Sequence, residues 1–485
     1  MLPKRVGFLL FAFLGVSFLA GCGGGSNSLA GPPSGPFSNA SLNGSYAFTL
    51  SGTNTGGFFA VAGSFQANGA GTITSGTEDI NSPGTVGVLT NQPLTGSYAV
   101  RADGRGTATI TSGSTTFNLA FVLINTSSGL VIRFQNTATA SGTLDLQNAA
   151  AFNLTTLAGS FAFTVSGVNN LAQPDAVAAL ITLDASGDIT SGVLDENNNG
   201  TVTLSNTIPA TGLAFSVPVN GRSTLTVPTT SLGTLNFAVY IVDANHLKLV
   251  ETDAGFPLTG EPFRQSSSTV TGSFAFTTAG ASFVGNGAFV SGGILNTDGV
   301  SNILGTSVVD VDSGGAVVTN AAVSGTFTVV AGRGTATING AGTTHLVFYP
   351  TTGGLQLLGI DSTNVATGVA FQQSGGPFST GSIAGPFGLN YSGTNSAGEV
   401  DATGQFSASG TGSLSGALDL NNAGATAGNL ALTGTYSAAA NGRGTGTLNT
   451  SAGPVNIIFY MASGSRVVFI EADSFQVASG IFLHQ

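Results

Sequence analysis

The sequence predicts an all-β protein built from four tandem modules, each an antiparallel meander of eight or nine strands. The segment Gly44–Phe48 (GSYAF) returns, with changes, from Gly159, Gly272 and Gly385, at spacings of 115, 113 and 113 residues. Two further landmarks keep step with it. One is a glycine-arginine pair, at Arg105, Arg222, Arg333 and Arg443. The other is a closing glutamine, at Gln147, Gln265, Gln373 and Gln485. A fixed internal period indicates repeated structural units.

Inside a module the hydrophobic residues alternate with a period of two. Tyr46, Phe48 and Leu50 face one way, while the small and polar residues between them face the other. Such alternation is typical of a strand with one face on a core. Asn-Gly and Asp-Gly pairs, which supply the positive φ angles of tight hairpins, punctuate the chain. Outside the N-terminal segment no stretch has a helical period.

The runs between turns predict strands in the first module. They begin near Ser45, Phe58, Gly71, Thr85, Leu94, Thr107, Thr115, Leu130 and Ser141. We predict that each meander closes into an up-and-down barrel, which removes exposed strand edges. Two-sheet sandwiches are the alternative. The strand layout resembles the small-ligand barrels of the lipocalin and avidin type, although none of their sequence motifs is present.

The N-terminus has the features of an export signal. Lys4 and Arg5 precede a 15-residue run without charge, Val6 to Ala20, which is short for a membrane span but suits a signal-peptide core. The run ends in LAGC, with Cys22 the only cysteine of the chain. This resembles the lipobox of bacterial lipoproteins. The resemblance implies acylation of Cys22, export and a lipid anchor, and Gly23 after the cysteine implies the outer membrane.

These observations define the predicted domains. They are a lipoprotein signal peptide (1–21), a flexible Gly/Ser/Pro tether (22–40) and four β modules (41–150, 151–267, 268–374 and 375–485).

Charge is scarce, and it restricts the partners. Removal of the signal segment leaves nine basic and 22 acidic side chains, a net charge of −13. Nucleic acid is disfavoured because its phosphates need a basic patch. We predict membrane attachment through the acyl chains and a possible glycan, small-molecule or protein partner at the cell envelope.

Two recurrent sets of residues are candidates for ligand contact. Tyr240, Tyr349 and Tyr460 stand on strands that are apolar on both faces, which favours packing between modules over an aromatic binding surface. The four arginines of the glycine-arginine motif follow hairpins. We expect each to keep its turn solvated or to pair with an acidic residue near a module end, such as Asp253, Asp361 or Asp473. A ligand contact at a barrel mouth is the sharper alternative.

One acidic turn resembles the first half of a calcium loop. Asp195, Glu196, Asn197 and Asn199 offer oxygens before Gly200, but Asn206 stands where a complete loop carries its bidentate glutamate. An Asx-rich hairpin turn is the simpler interpretation. We therefore predict no cofactor and, at most, a weak calcium site in module two. We align this turn with Asp79, Asp419 and, in module three, Asn296 and Asp298.

Catalysis finds little support in the sequence. None of the three histidines recurs between modules, and no nucleophile elbow, zinc motif or phosphate loop is present. We predict a lipoprotein of the envelope without enzyme activity, with a structural, adhesive or multivalent binding role. A small-ligand or glycan-binding barrel protein is the first alternative, and an enzyme with an unrecognised site is the second.

Overall fold

The computed structural model describes residues 37–266, 269–284, 287–340 and 342–485. The predicted signal peptide, Cys22 and most of the tether lie outside these residues. In the described part of the chain, no helix has both the length and the apolar character needed to cross a bilayer.

The prediction of an all-β protein is confirmed: four antiparallel sheets follow one another along the chain. Barrel 1 is a closed eight-stranded meander. Its strands are β1 (Asn43–Asn54), β2 (Gly57–Asn68), β3 (Thr72–Ser82), β4 (Gly87–Val100), β5 (Arg105–Ser112), β6 (Thr115–Leu123), β7 (Ser128–Arg133) and β8 (Ala138–Leu146).

Barrels 3 and 4 close in the same strand order. Barrel 3 contains β18 (Thr271–Ser282), β19 (Gly287–Asp298), β20 (Asn302–Ser313), β21 (Ala316–Val330), β22 (Arg333–Asn339), β23 (Thr343–Thr351), β24 (Gly354–Gly359) and β25 (Asn364–Gln372). Barrel 4 contains β26 (Ala384–Asn395), β27 (Gly398–Ser409), β28 (Ser413–Asn422), β29 (Ala425–Ala438), β30 (Arg443–Thr450), β31 (Gly453–Met461), β32 (Arg466–Glu471) and β33 (Gln476–His484).

Barrel 2 departs from the predicted closure. Its nine strands are β9 (Gly159–Val168), β10 (Pro174–Leu183), β11 (Ile189–Asn198), β12 (Thr201–Ile208), β13 (Arg222–Pro228), β14 (Thr234–Ile241), β15 (Leu247–Glu251), β16 (Leu258–Gly260) and β17 (Phe263–Arg264). The sheet order leaves β12 and β13 unpaired with each other. The irregular segment between them bridges the gap instead, because Thr211 pairs with Ile189 and Phe215 with Leu225.

In the residues that the structure describes, helical structure is confined to short pieces before and between the sheets. They are the helix α1 (Leu154–Leu157) and three 3-10 turns (Asn39–Ser41, Ala149–Ala151 and Thr380–Ser382).

The nine strand starts predicted for the first module overcount by one. The starts near Thr85 and Leu94 belong to one strand, Gly87–Val100. Asn91 adopts a left-handed conformation with φ of 52°, and the register with β3 shifts beside it. A bulge of this kind re-aims a strand without ending it, so the two predicted starts lie on one continuous strand.

The barrel interiors are hydrophobic cores. The residues of the predicted alternating face, such as Tyr46, Phe48 and Leu50, point inward in barrel 1. Barrels 2, 3 and 4 have corresponding clusters, each made within one barrel. Each barrel thus has its own core.

The four barrels form a closed ring. The first two strands of each barrel pack against the last strands of the next: β1 and β2 against β14–β16, β9 and β10 against β23–β25, and β18 and β19 against β31–β33. Strands β26 and β27 of barrel 4 pack in the same way against β6–β8 of barrel 1. We call these contacts seams and name them by their barrels: seams 1/2, 2/3, 3/4 and 4/1. One contact repeated head to tail closes a ring.

The recurrent glutamines explain the recurrent glycines. Gln147 donates from its side chain to the carbonyl of Ile241 in barrel 2, and Gln485 donates equivalently to Asp103 and Leu123 in barrel 1. The glycine of the glycine-arginine motif lies against this amide. At Gly442 φ is 88°, and a Cβ atom would lie 2.6 Å from the Gln373 side chain. Only glycine combines that angle with that approach.

Candidate functional site: the cavity between the four barrels

The predicted arginine and tyrosine candidates meet at the seams. In seam 2/3 both Arg333 and Tyr349 of barrel 3 donate to the carboxylate of Asp195 in barrel 2. Asp195 is fully buried, and its carboxylate receives the guanidinium through two nitrogens, at 2.8 and 2.6 Å. Seams 1/2 and 3/4 repeat the arrangement with Arg222, Tyr240 and Asp79, and with Arg443, Tyr460 and Asp310.

Burial and charge stabilise this arrangement. Burial, followed by the adjacent carboxylate, raises the pKa of the three tyrosines, so the phenols stay protonated and act as donors. Hydrogen bonds to the carboxylates raise the pKa of the three arginines. These side chains hold the ring together. The acceptors are not the predicted ones, since Asp253, Asp361 and Asp473 bond instead to Asn236, His345 and Asn456.

Seam 4/1, which closes the ring, is chemically different. Arg105 bonds to Asp103 of its own turn and to Asn429, and it approaches Asp419 only to 3.9 Å. Val122 takes the place of the tyrosine, as its pairing with Arg105 shows. Buried Asp401 accepts a hydrogen bond from Thr139 across this seam.

The predicted calcium ligands also serve seam 2/3. Asn197 donates from its side-chain amide to the carbonyls of Gly359, Asp361 and Asn364, and its oxygen accepts from the N–H of Gly200. Asn199 adopts φ of 50° in the hairpin. No structural observation tests calcium binding, which stays a prediction.

A cavity of about 680 Å³ lies where all four barrels meet, and we call it the central cavity. Its lining includes Leu130 of barrel 1, His246 and Glu261 of barrel 2, Phe371 of barrel 3 and Arg466 of barrel 4. An adjoining space of about 740 Å³ shares some of its lining, including Arg466 and Phe371.

The barrels differ from one another at this cavity. The residue paired with the seam tyrosine is Lys248 in barrel 2, Gln356 in barrel 3 and Val468 in barrel 4, and Leu130 occupies the same place in barrel 1. The repeated fold therefore does not need a charge there. A charge in one copy calls for a reason specific to that copy.

Lys248 is the centre of a buried polar cluster. Its side chain is fully buried, and Nζ lies 2.9 Å from Asp145 and 2.6 Å from Glu261. Thr143 accepts a third hydrogen bond from Nζ. Burial acts to lower the pKa of Lys248, but the two carboxylates outweigh it and raise the pKa. The ammonium group is thus charged, and all three of its N–H donors have acceptors. Lys248 is therefore a structural cation and not a nucleophile.

The carboxylate of Glu261 faces the cavity with part of its surface. It accepts from Lys248 and Thr143 through one oxygen, and His246 Nε2 lies 2.8 Å from the other. Burial alone would raise the pKa of Glu261, but Lys248 and then His246 hold it well below its usual range. The imidazole of His246 stacks on Phe263 with ring centroids 4.3 Å apart.

The same cluster contains a possible set of metal ligands. Ligand atoms of Asp145, His246 and Glu261 lie close enough together to hold one ion. However, the Nζ of Lys248 bonds to both carboxylates. A cation of the chain itself already neutralises them, so the donor set does not fit a resident metal.

Arg466 supplies a cation of a different kind. Its guanidinium lies 4.6 Å from the centre of the Phe371 ring and is exposed. Among the described residues its side chain has no hydrogen-bond or ion-pair partner. Although the residue is exposed overall, packing against Phe371 desolvates part of the guanidinium and lowers its pKa, as is expected when no carboxylate compensates. The central cavity therefore combines an unpaired guanidinium with partly exposed carboxylates.

The sequence-based candidates did not include this set. In the sequence His246 is one of three histidines that do not recur between modules, and no motif points to Lys248 or Glu261. A comparison of the four modules could have found them. A charged residue present in only one copy of a repeat is not required by the shared fold, so it marks a candidate for a role specific to that copy.

The comparisons with known proteins are sparse. No protein-family profile matches the sequence, and no curated protein matches it significantly. A search of solved structures finds intact Ap-TbpB (N and C lobes), at 10% sequence identity and a TM-score of 0.19, over 96% of this chain and 97% of that chain. A TM-score this low does not indicate a shared overall fold, so nothing about function follows from the similarity.

Proposed function

We propose that the protein is an exported, lipid-anchored binding protein whose central cavity takes an acidic saccharide. The observation that carries this proposal is the placement of Arg466, Glu261 and Asp145 around one cavity. A guanidinium recognises a carboxylate, and carboxylates with free lone pairs accept from hydroxyl groups. A sugar acid presents both groups on one small ring.

Multivalent capture is less well supported by the geometry. It needs several equivalent exposed sites, whereas the recurrent arginines and tyrosines are engaged in the seams. Catalysis is also less well supported, because Lys248 is enclosed and fully bonded and no activated hydroxyl or thiol lies beside His246 in the described residues.

Binding of glucuronic acid, with glucose as the matched neutral sugar, tests the proposal. We expect the acid to bind at least tenfold more tightly, because only its carboxylate can pair with Arg466. Calorimetric titration measures both affinities. Arg466→Met should remove the preference for the acid. Arg101→Met should not change it, because Arg101 bonds to Asn429 at seam 4/1 and does not line the central cavity. Equal binding of the two sugars, or no binding of either, would refute the acidic-saccharide proposal.

The lipid anchor is proposed on the LAGC sequence and has its own test. Cys22→Ser is expected to move the protein from the membrane fraction to the soluble fraction, because the acylated thiol is lost. Fractionation followed by immunoblotting measures the shift. Unchanged partitioning of the Cys22→Ser protein would show that attachment does not depend on this residue.

A further inference from the structure

A second cavity lies in the open end of barrel 1, and its lining differs from that of the central cavity. It has a volume of about 380 Å³. Its walls are apolar and include Phe59, Ile80 and Leu89, while serine, threonine and glutamine side chains form its rim. Two charged side chains, Glu78 and Arg133, also line it.

The carboxylate of Glu78 is buried there with little hydrogen bonding. Glu78 is 1% exposed, and neither carboxylate oxygen accepts a hydrogen bond of ordinary geometry, although the Ser112 hydroxyl lies close enough to act on its pKa. Leaving a buried polar group unsatisfied costs about 1–3 kcal/mol, and more when the group is charged. The fold does not require the residue, because the equivalent positions carry Leu194, Val309 and Leu418.

Arg133 presents an unused donor to the same space. Its guanidinium lies 3.7 Å from the centre of the Phe117 ring and 5.9 Å from that of Phe59. Its Nε is buried without an acceptor, and no ion pair joins Arg133 to Glu78. In barrel 4 the equivalent residue is Glu471, as the pairing of Ile457 shows. Barrel 1 thus places a buried acceptor and a buried donor, both without hydrogen-bond partners, around one cavity.

We infer that this interior binds a small neutral carboxamide, whose N–H group donates to Glu78 and whose carbonyl oxygen accepts from Arg133. The apolar walls suit an aromatic or aliphatic body, and the pocket has a volume typical of small-molecule sites. The ligand is neutral because the two protein charges already balance, and an added net charge would stay uncompensated among apolar walls.

The electrostatics agree with a neutral ligand. Burial raises the pKa of Glu78, against the effects of Ser112 and Arg133, and burial lowers the pKa of Arg133 to about 10. Both shifts show that charge is disfavoured in this space. A neutral ligand can form hydrogen bonds with both Glu78 and Arg133 without adding a charge to the cavity.

Three isosteric probes test the inference on the whole exported chain: benzamide, benzoate and benzamidine. They share a phenyl ring and differ in the charge of the polar end. We expect benzamide to bind on the order of 0.1–1 mM, since ligands of this size reach only modest affinity. Benzoate and benzamidine should bind at least tenfold more weakly. Ligand-observed NMR measures all three.

Variants locate the binding. Glu78→Leu, which installs the residue type of barrels 2 and 4, should fold at least as stably as the parent and lose benzamide binding. Arg133→Gln should weaken it at least tenfold. Glu471→Gln is the matched control in barrel 4 and should leave it unchanged.

Several outcomes would overturn the inference: tighter binding of benzoate or benzamidine than of benzamide, no binding of any probe, or equal binding to the Glu78→Leu protein. Arg466→Met should not affect benzamide binding. This variant makes a failure of the central-cavity proposal distinguishable from a failure of the barrel 1 proposal.

Discussion

Asp195→Ala is expected to destabilise the protein by about 3–5 kcal/mol, because it leaves a guanidinium and a phenol of barrel 3 without their shared acceptor inside seam 2/3. Asp195 is fully buried, and both Arg333 and Tyr349 donate to it. Urea unfolding followed by far-ultraviolet circular dichroism measures the loss.

Asp419→Ala is the matched control at the ring-closing seam. Asp419 occupies the equivalent position, but its arginine is 3.9 Å away and no tyrosine faces it. The expected loss is about 1 kcal/mol, the value of an ordinary hydrogen bond. Equal losses for the two variants would contradict the conclusion that seam 4/1 is built differently.

Asp312→Asn is expected to stabilise the protein by about 2 kcal/mol at pH 8 and by little at pH 4. Asparagine occupies the equivalent position in the other three barrels, at Asn81, Asn197 and Asn421, where the amide donates to three carbonyls of the next barrel. A carboxylate cannot donate. Asp312 is fully buried, and its Oδ2 has no partner.

The pH dependence follows from the proton that Asp312 must hold. Burial, followed by the charge of Asp473, raises the pKa of Asp312 to about 6. The folded chain therefore binds this proton more tightly than the unfolded chain. Its contribution to stability is complete below about pH 4 and is lost as the pH rises through about 6. Melting temperatures of parent and variant between pH 4 and 8 measure this.

Asn197→Asp provides the reciprocal variant, since it should introduce the same loss at seam 2/3. If the Asp312→Asn protein melts with the same pH profile as the parent, the assignment of Asp312 to this role is wrong.

The barrels could be predicted from the sequence because their signals are local. Alternation at Tyr46, Phe48 and Leu50 requires only that one strand face a core, and Asn-Gly pairs fix the turns within a few residues. The ring could not be predicted in this way. Its determinants are contacts between residues of different modules, such as Asp195 and Arg333, which are 138 positions apart. A repeat period does not show whether the repeats form an open row or a closed ring.

The sequence pattern identifies most of the seam residues, but its alignment of module three with the other modules is wrong. The sequence pattern aligns Asn296 and Asp298 with the turn of Asp195, whereas the sheet register places Asp310 and Asp312 there. The correct alignment makes an aspartate recur in all four modules, in parallel with the arginines. The central cavity offers no recurrent motif at all, because its chemistry depends on differences between modules.

Ring closure also fixes how many modules the protein can use. Each seam turns the path of the chain by about a quarter of a circle, and four such steps return to the start. An added or deleted barrel would change that sum. Deletion of barrel 2 or barrel 3 would leave two faces open, one with a buried aspartate that lacks its arginine and one with an arginine and tyrosine that lack their acceptor. Such faces invite a second chain. Unlike an open solenoid, which lengthens one unit at a time, this architecture can vary its modules only by substitution within a fixed number.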